Sequence, residues 1–128
     1  MKKTLLAVPF LFCAVILSSC ANNFSVNYKD SFALAPEARQ KVEYFAGEPT
    51  IVFGTDLVND KKNMKETGYA LLGSSSFDEP HSSVKDAAAV ARDIGAEILI
   101  YYSNFGNSVE NSRNSFNYLA TYWAKYKK

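Results

Sequence analysis

Three places in this 128-residue chain carry residue types at spacings that chemistry needs. Ser82-Ser83-Val84-Lys85 sets a serine three residues ahead of a lysine, the arrangement of a serine nucleophile with a basic partner. His81, the single histidine, follows Asp78 and Glu79, and all three types can ligate a metal or move a proton. Gly73-Ser74-Ser75-Ser76 follows a strand-like run and precedes a helix-like one. Backbone amides and a helix N-terminus at such a place can hold an anion. Asp56, Ser74, Ser76, Ser103 and Asn104 would then surround one crevice beyond the carboxyl ends of the strands, as a ligand-binding set.

Each site also has a plainer reading. Ser83 is a strong helix N-cap with Asp86 at the reciprocal capping-box position, which accounts for the serine without catalysis. Residues as close as Asp78, Glu79 and His81 in a proline-containing loop rarely converge on one ion, so no metal site is assigned. The serine run lacks a Gly-rich fingerprint, and loop chemistry over a packed Phe77 explains it as well. No catalytic residue and no cofactor is assigned.

The elements that would hold these residues read more clearly. Thr50–Phe53 is β-branched and aromatic and stops at Gly54, so it reads as a strand. Thr55 or Asp56 can cap a helix over Leu57–Glu66, whose apolar stripe is only Leu57, Val58 and Met64. Gly68 fits the left-handed position after that helix. Tyr69–Gly73 reads as a second strand and 74–83 as a loop. Val84, Ala87, Ala88, Ala91 and Ile94 recur at helical spacing, closed by Gly95. Glu97–Tyr102 is apolar enough for a central third strand. Gly106–Asn114 is polar and reads as a loop. In Ser115–Lys128, Phe116, Tyr118, Ala120, Tyr122, Ala124 and Tyr126 alternate at period two. Phe116, Leu119, Ala120 and Trp123 would also suit a helix, but Tyr, Thr and Trp favour a strand antiparallel to the third. Tyr101, Tyr102, Phe105 and Trp123 offer either core or contact surface.

This gives β-α-β-α-β-β: a small α/β sandwich with one sheet of about four mixed strands and two helices. The domain spans 48–128. Before it, 20–47 reads as a tether and irregular lead-in, most polar over 21–35. Pro36–Glu43 admits a short helix, whereas Val42, Tyr44 and Ala46 alternate as a strand would.

At the start, Met1-Lys2-Lys3 precedes an apolar run from Leu5 to Leu17 and then Ser18-Ser19. A charged start, an apolar stretch and a small-residue end describe an export signal over 1–19. The run is short for a membrane span, and Pro9 interrupts it. Losing Lys2 and Lys3 turns the formal net charge from +1 to −1. No basic stripe suited to a phosphate backbone remains, which argues against nucleic acid as a partner. Of the two cysteines, Cys13 lies in the leader and Cys20 would be the first mature residue, so the folded part would hold together without a disulfide.

Leu17-Ser18-Ser19-Cys20 resembles the lipobox of bacterial lipoproteins. The resemblance implies a diacylglyceryl group on the Cys20 sulfur, cleavage before it, and attachment to a membrane of the cell envelope. Ala21 and Asn22 follow where an inner-membrane retention signal would place Asp, which favours the outer membrane in a Gram-negative host. Ser82-x-x-Lys85 and Tyr102-Ser103-Asn104 are similar to motifs of penicillin-interacting enzymes, but no Lys-Thr-Gly accompanies them and the chain is far smaller. Gly68-Tyr69 through Phe77, Ala91 through Tyr101, and Ala120-Thr121-Tyr122-Trp123 resemble a group of uncharacterised small bacterial envelope proteins over about residues 48–125. The expectation is a non-enzymatic lipoprotein that binds another envelope protein. A small-molecule or anion binder comes second, and a hydrolase third.

Overall fold

The computed structural model describes residues 22–79, 82–103 and 116–128. The leader over 1–19, Cys20, Pro80, His81, Asn104, Phe105 and the loop Gly106–Asn114 lie outside the described residues. The chain begins with a single helical turn, α1 (Asn23–Val26), and β1 (Tyr28–Asp30). A 3-10 helix (Pro36–Lys41) and β2 (Val42–Glu43) follow. Then come β3 (Thr50–Phe53), α2 (Leu57–Glu66), β4 (Tyr69–Glu79), α3 (Val84–Ile94), β5 (Ile98–Ser103) and β6 (Phe116–Tyr126). The fold is mixed α/β. Its sheet has six strands where four were expected, in the order β1-β4-β6-β5-β3, with β2 paired to the far end of β6.

The final segment is a strand, antiparallel to β5 and, along nearly its whole length, to β4. It separates β4 from β5, which run in one direction, so the middle of the sheet is β6 rather than β5. β3 is parallel to β5, with Thr50 opposite Ile98 and Phe53 opposite Tyr101. The path from β3 to β4 crosses the sheet one way, and the path from β4 to β5 crosses back. Right-handed crossovers then put the two helices on opposite faces, and the two cores agree. On one face Ala87, Val90 and Ala91 of α3 pack with Leu72, Leu99, Tyr101, Ala120 and Tyr122. On the other, Leu57 and Met64 of α2 lie against Ile100, Tyr102, Leu119 and Trp123. Ala87 and Ala91 are completely buried, because a methyl group lets the helix axis approach the strands closely.

The helix ends follow the sequence. Asp56 Oδ1 accepts from the Asn59 amide at 3.2 Å and Ser83 Oγ from the Lys85 amide at 3.1 Å. Gly68 and Gly95 take φ of 92° and 83°, where a Cβ would be strained. Pro36–Lys41 realises the helical alternative and Val42–Glu43 the extended one, one after the other.

Two expectations are corrected. The stretch 21–35 does not behave as a tether from Asn22 onward. Phe24 has no exposed surface. Its ring meets Phe77 edge-on at 4.7 Å and lies 5.9 Å from Tyr101. Asn22 closes the joint: its Oδ1 accepts from the Phe24 amide and its Nδ2 donates to the Asp86 carbonyl at 2.9 Å. One aromatic ring in a polar stretch offers no periodicity to read, yet it completes the core. Second, 74–79 belongs to β4 rather than to a loop. A bulge between Leu71 and Gly73 shifts the register by one residue. Tyr69 and Leu71 face α2, while beyond the bulge Ser75 and Phe77 face α3.

If 22–30 is core, replacing Phe24 must hurt like a core deletion. Phe24→Ala is expected to lower unfolding free energy by about 3–5 kcal/mol in urea titrations. A tether would give a change below about 0.5 kcal/mol.

Candidate functional site

The residues singled out for ligand binding do not meet. Ser74 lies opposite Thr121 and Ser76 opposite Leu119, within β4 rather than beyond its end. Alternation puts Ser74 and Ser76 on the α2 face, whereas Ser103 continues the phase of Tyr101 and so belongs to the α3 face. Asp56 is occupied as the α2 cap. Asn104 lies outside the described residues. The serine between them does the structural work that the run was not credited with. Ser75 is buried, donates to the Phe24 carbonyl at 2.7 Å and lies 2.9 Å from the Tyr122 hydroxyl. That trio ties α1, β4 and β6 together.

Of the two readings of the aromatics Tyr101, Tyr102 and Trp123, core or contact surface, the structure realises core. Trp123 is fully buried, with Nε1 donating to Thr121 Oγ1 at 2.9 Å. Tyr101 and Tyr102 are also buried, and Tyr102 donates to Asp60 Oδ2 at 2.8 Å, which pins α2 to β5. Burial raises the Tyr122 hydroxyl well above its ordinary value, although its bond to Ser75 works the other way. Burial and then the Asp60 carboxylate raise Tyr102 similarly. Both stay protonated near neutral pH. Among the described residues no three of His, Cys, Asp or Glu group closely enough to hold a metal ion.

A shallow cleft of about 190 Å³ opens between Tyr28, Asp30, Phe32, Arg39, Tyr44, Leu72 and Ile94. Gly73 makes it possible: any Cβ there would collide with the Tyr28 ring. Its Tyr28, Asp30 and Arg39 side chains are already engaged. Tyr28 donates to the Leu72 carbonyl at 3.0 Å, and Arg39 pairs with Asp30. Burial, reinforced by Asp30, pushes the Tyr28 hydroxyl up to about 12. Partial burial works against ionised Asp30, but the Phe32 amide and Arg39 outweigh it and hold its carboxyl below the ordinary value. At this volume the cleft falls short of the roughly 300 Å³ at which small-molecule sites begin.

The feature with unspent bonding capacity is β3. Among the described residues it ends the sheet and pairs only with β5. The Thr50 amide donates inward to Glu97 at 2.8 Å and the Gly54 amide to Tyr101 at 2.9 Å. By the two-residue alternation of a strand, the backbone amides and carbonyls of Ile51 and Phe53 point outward. Tyr44, Phe45, Ile51, Val52 and Phe53, along the same stretch of chain, are 37–68% exposed. Proteins blunt sheet edges with lysine, proline or a bulge. The opposite edge does so: β1 carries exposed Lys29 and an Asp30 paired to Arg39. β3 carries no lysine or bulge, and its protection is limited to its four-residue length and the Pro49 that precedes it. The sequence shows Thr50–Phe53 as a strand but gives no sign that it lies at an edge, because that depends on β6 entering between β4 and β5.

No protein-family model, curated protein or solved structure matches the chain.

The buried tyrosines set an alkaline limit. The folded chain holds the Tyr28 proton to about pH 12, whereas an unfolded tyrosine releases it near 10.0. Raised folded values leave stability unchanged below pH 10 and remove it as pH climbs through the folded value. Unfolding free energy measured at stepped pH is expected to be flat from 7 to 9 and to fall between about 10 and 12, with a smaller fall in Tyr28→Phe.

Proposed function

We propose that this chain is a cell-envelope lipoprotein, held to a membrane by lipid on Cys20, whose domain binds an envelope protein by adding that partner's extended segment to β3. The domain acts as a binding module and carries out no reaction of its own. The resemblance of Leu17-Ser18-Ser19-Cys20 to a lipobox, behind a charged and apolar leader, supports the anchor. Two or more acyl chains give durable attachment where one does not. An outer-membrane location follows from Ala21 and Asn22 if the host is Gram-negative. Among the described residues no helix is long and apolar enough to cross a membrane.

The observation that carries the binding reading is the β3 edge, open among the described residues, with its exposed Ile51, Val52 and Phe53. Strand addition draws affinity from main-chain hydrogen bonds and selectivity from alternate side chains. A strand of four residues is about 13 Å long. Pairing of two such edges would bury well under the roughly 1,000 Å² of a stable interface. An extended segment meets the same limit on β3, so its affinity must also draw on contacts beyond the four paired residues.

Proline is tolerated on an edge when its missing amide would have faced outward. Ile51→Pro is therefore expected to keep the fold while removing one outward donor. A photo-crosslinker placed at Val52 in intact cells should capture one dominant envelope protein, and Ile51→Pro should cut that adduct by about tenfold. Capture that ignores the proline would count against strand addition. Cys20→Ala should move the protein from the membrane to the soluble fraction, and failure to do so would remove the anchor.

A further inference from the structure

We infer that the domain is held close to the bilayer, with the end of the sheet where β3, β4 and β5 finish turned toward the lipid headgroups. The inference rests on the proposed lipid at Cys20 and adds an orientation to it. It starts from the distance between that residue and the folded body. Asn22 is already fixed, its side chain bonded to the Asp86 carbonyl and the Phe24 amide. Only Ala21 separates it from Cys20. Two residues, fully extended, span about 7 Å. No tether is available, so the part of the domain that carries Asn22 must lie at headgroup depth.

The structure says which part that is. Phe24 meets Phe77 and Tyr118 edge-on, in the row where β4, β6 and β5 align Phe77, Tyr118 and Ser103. Asp86 is in the first turn of α3, just after β4 ends. Asn22 thus enters at the carboxyl edge of β4 and β5, and parallel pairing puts the end of β3 at the same edge. The opposite pole holds the end of β6, where the Lys127 amide bonds the Lys41 carbonyl. The eleven residues of β4 set the two poles about 36 Å apart. The pole that carries Asn22 is the one nearer the membrane.

Side chains on this edge suit the position. Val26 and Val58 are 76% and 79% exposed, on α1 and in the first turn of α2. Among the described residues there, Asp56, Asp78, Glu79 and Asp86 outnumber Lys85. Anionic lipid would repel such an edge, so the short covalent link, rather than charge, holds it down. Contact should therefore be present on zwitterionic vesicles and survive added salt. A partner segment that joins β3 would lie within about 36 Å of the surface.

The test uses the full lipid-bearing protein in phosphatidylcholine vesicles. Lipid occupies the Cys20 sulfur and Cys13 lies in the leader, so Val26→Cys, Val58→Cys and Lys127→Cys each supply one thiol for a polarity-sensitive fluorophore. Headgroup-labelled quencher lipid is expected to quench positions 26 and 58 at least about threefold more than position 127. Inserting about twenty Gly and Ser residues between Ala21 and Asn22 adds about 25 Å of reach and should bring the ratio close to one. Equal quenching at both poles, in protein whose mass shows lipid on Cys20, would overturn the orientation and leave the anchor standing. A ratio that survives the insertion would overturn the short link as its cause. An unmodified Cys20 would overturn anchor and orientation together.

Discussion

A strand buried on both faces needs cover on two sides, and β6 sets that requirement here. From Tyr118 to Ala124 every residue is buried, with Ala120, Tyr122 and Ala124 under α3 and Leu119 and Trp123 under α2. Hydrophobic burial favours this arrangement only if neither face meets water. α3 covers much of one face, but α1 must close it, which makes the Phe24 ring and the Phe24–Ser75–Tyr122 hydrogen bonds part of the core. The α2 face receives thinner cover. Only Leu57 and Met64 of α2 pack there, and one hydrogen bond from Tyr102 to Asp60 fixes the helix.

The parts that were legible in the sequence are those whose signals are local. α3 shows its cap at Ser83, its alanine face and its Gly95 stop within a dozen residues. The alternation in β6 separates Tyr118, Ala120, Tyr122 and Ala124 from Leu119, Thr121 and Trp123, and each set meets a different helix. What the sequence hid is non-local. Phe24 is one ring among Asn and Ser, and its role appears only when β4 and β6 form a surface beneath it. The bulge at Leu71–Gly73 reverses the phase of β4, so Leu72-Gly73-Ser74-Ser75-Ser76 reads as a strand ending when it is a strand changing face.

The candidate site was legible in part for the same reason. The expected crevice assumed that β4 stops at Gly73, which would have set Ser74 and Ser76 beside Ser103. With β4 running to Glu79, alternation sends Ser74 and Ser76 to one face and Ser103 to the other. Thr50–Phe53 was clear as a strand, and its composition even suggests a buried one. Its place at the end of the sheet follows from strand order, which is set by β6 entering between β4 and β5 rather than by any local motif.

The fold and the proposed anchor bear on one another through α1. The one way to lengthen the link to the bilayer without changing the sequence is to peel α1 from the core. That would free Asn22 through Asn27 and let the domain tilt. It would also expose Phe24, break the Ser75–Phe24 hydrogen bond and uncover Phe77 and Tyr118. Exposing one phenylalanine costs about 1.5–3 kcal/mol, and losing a buried hydrogen bond adds about 1 kcal/mol. At about 1.4 kcal/mol for each factor of ten, the peeled form stays near or below about one molecule in a hundred. The same ring that completes the core therefore keeps the link short, and a change that loosens Phe24 would loosen both the fold and the angle at which the β3 edge meets its partner.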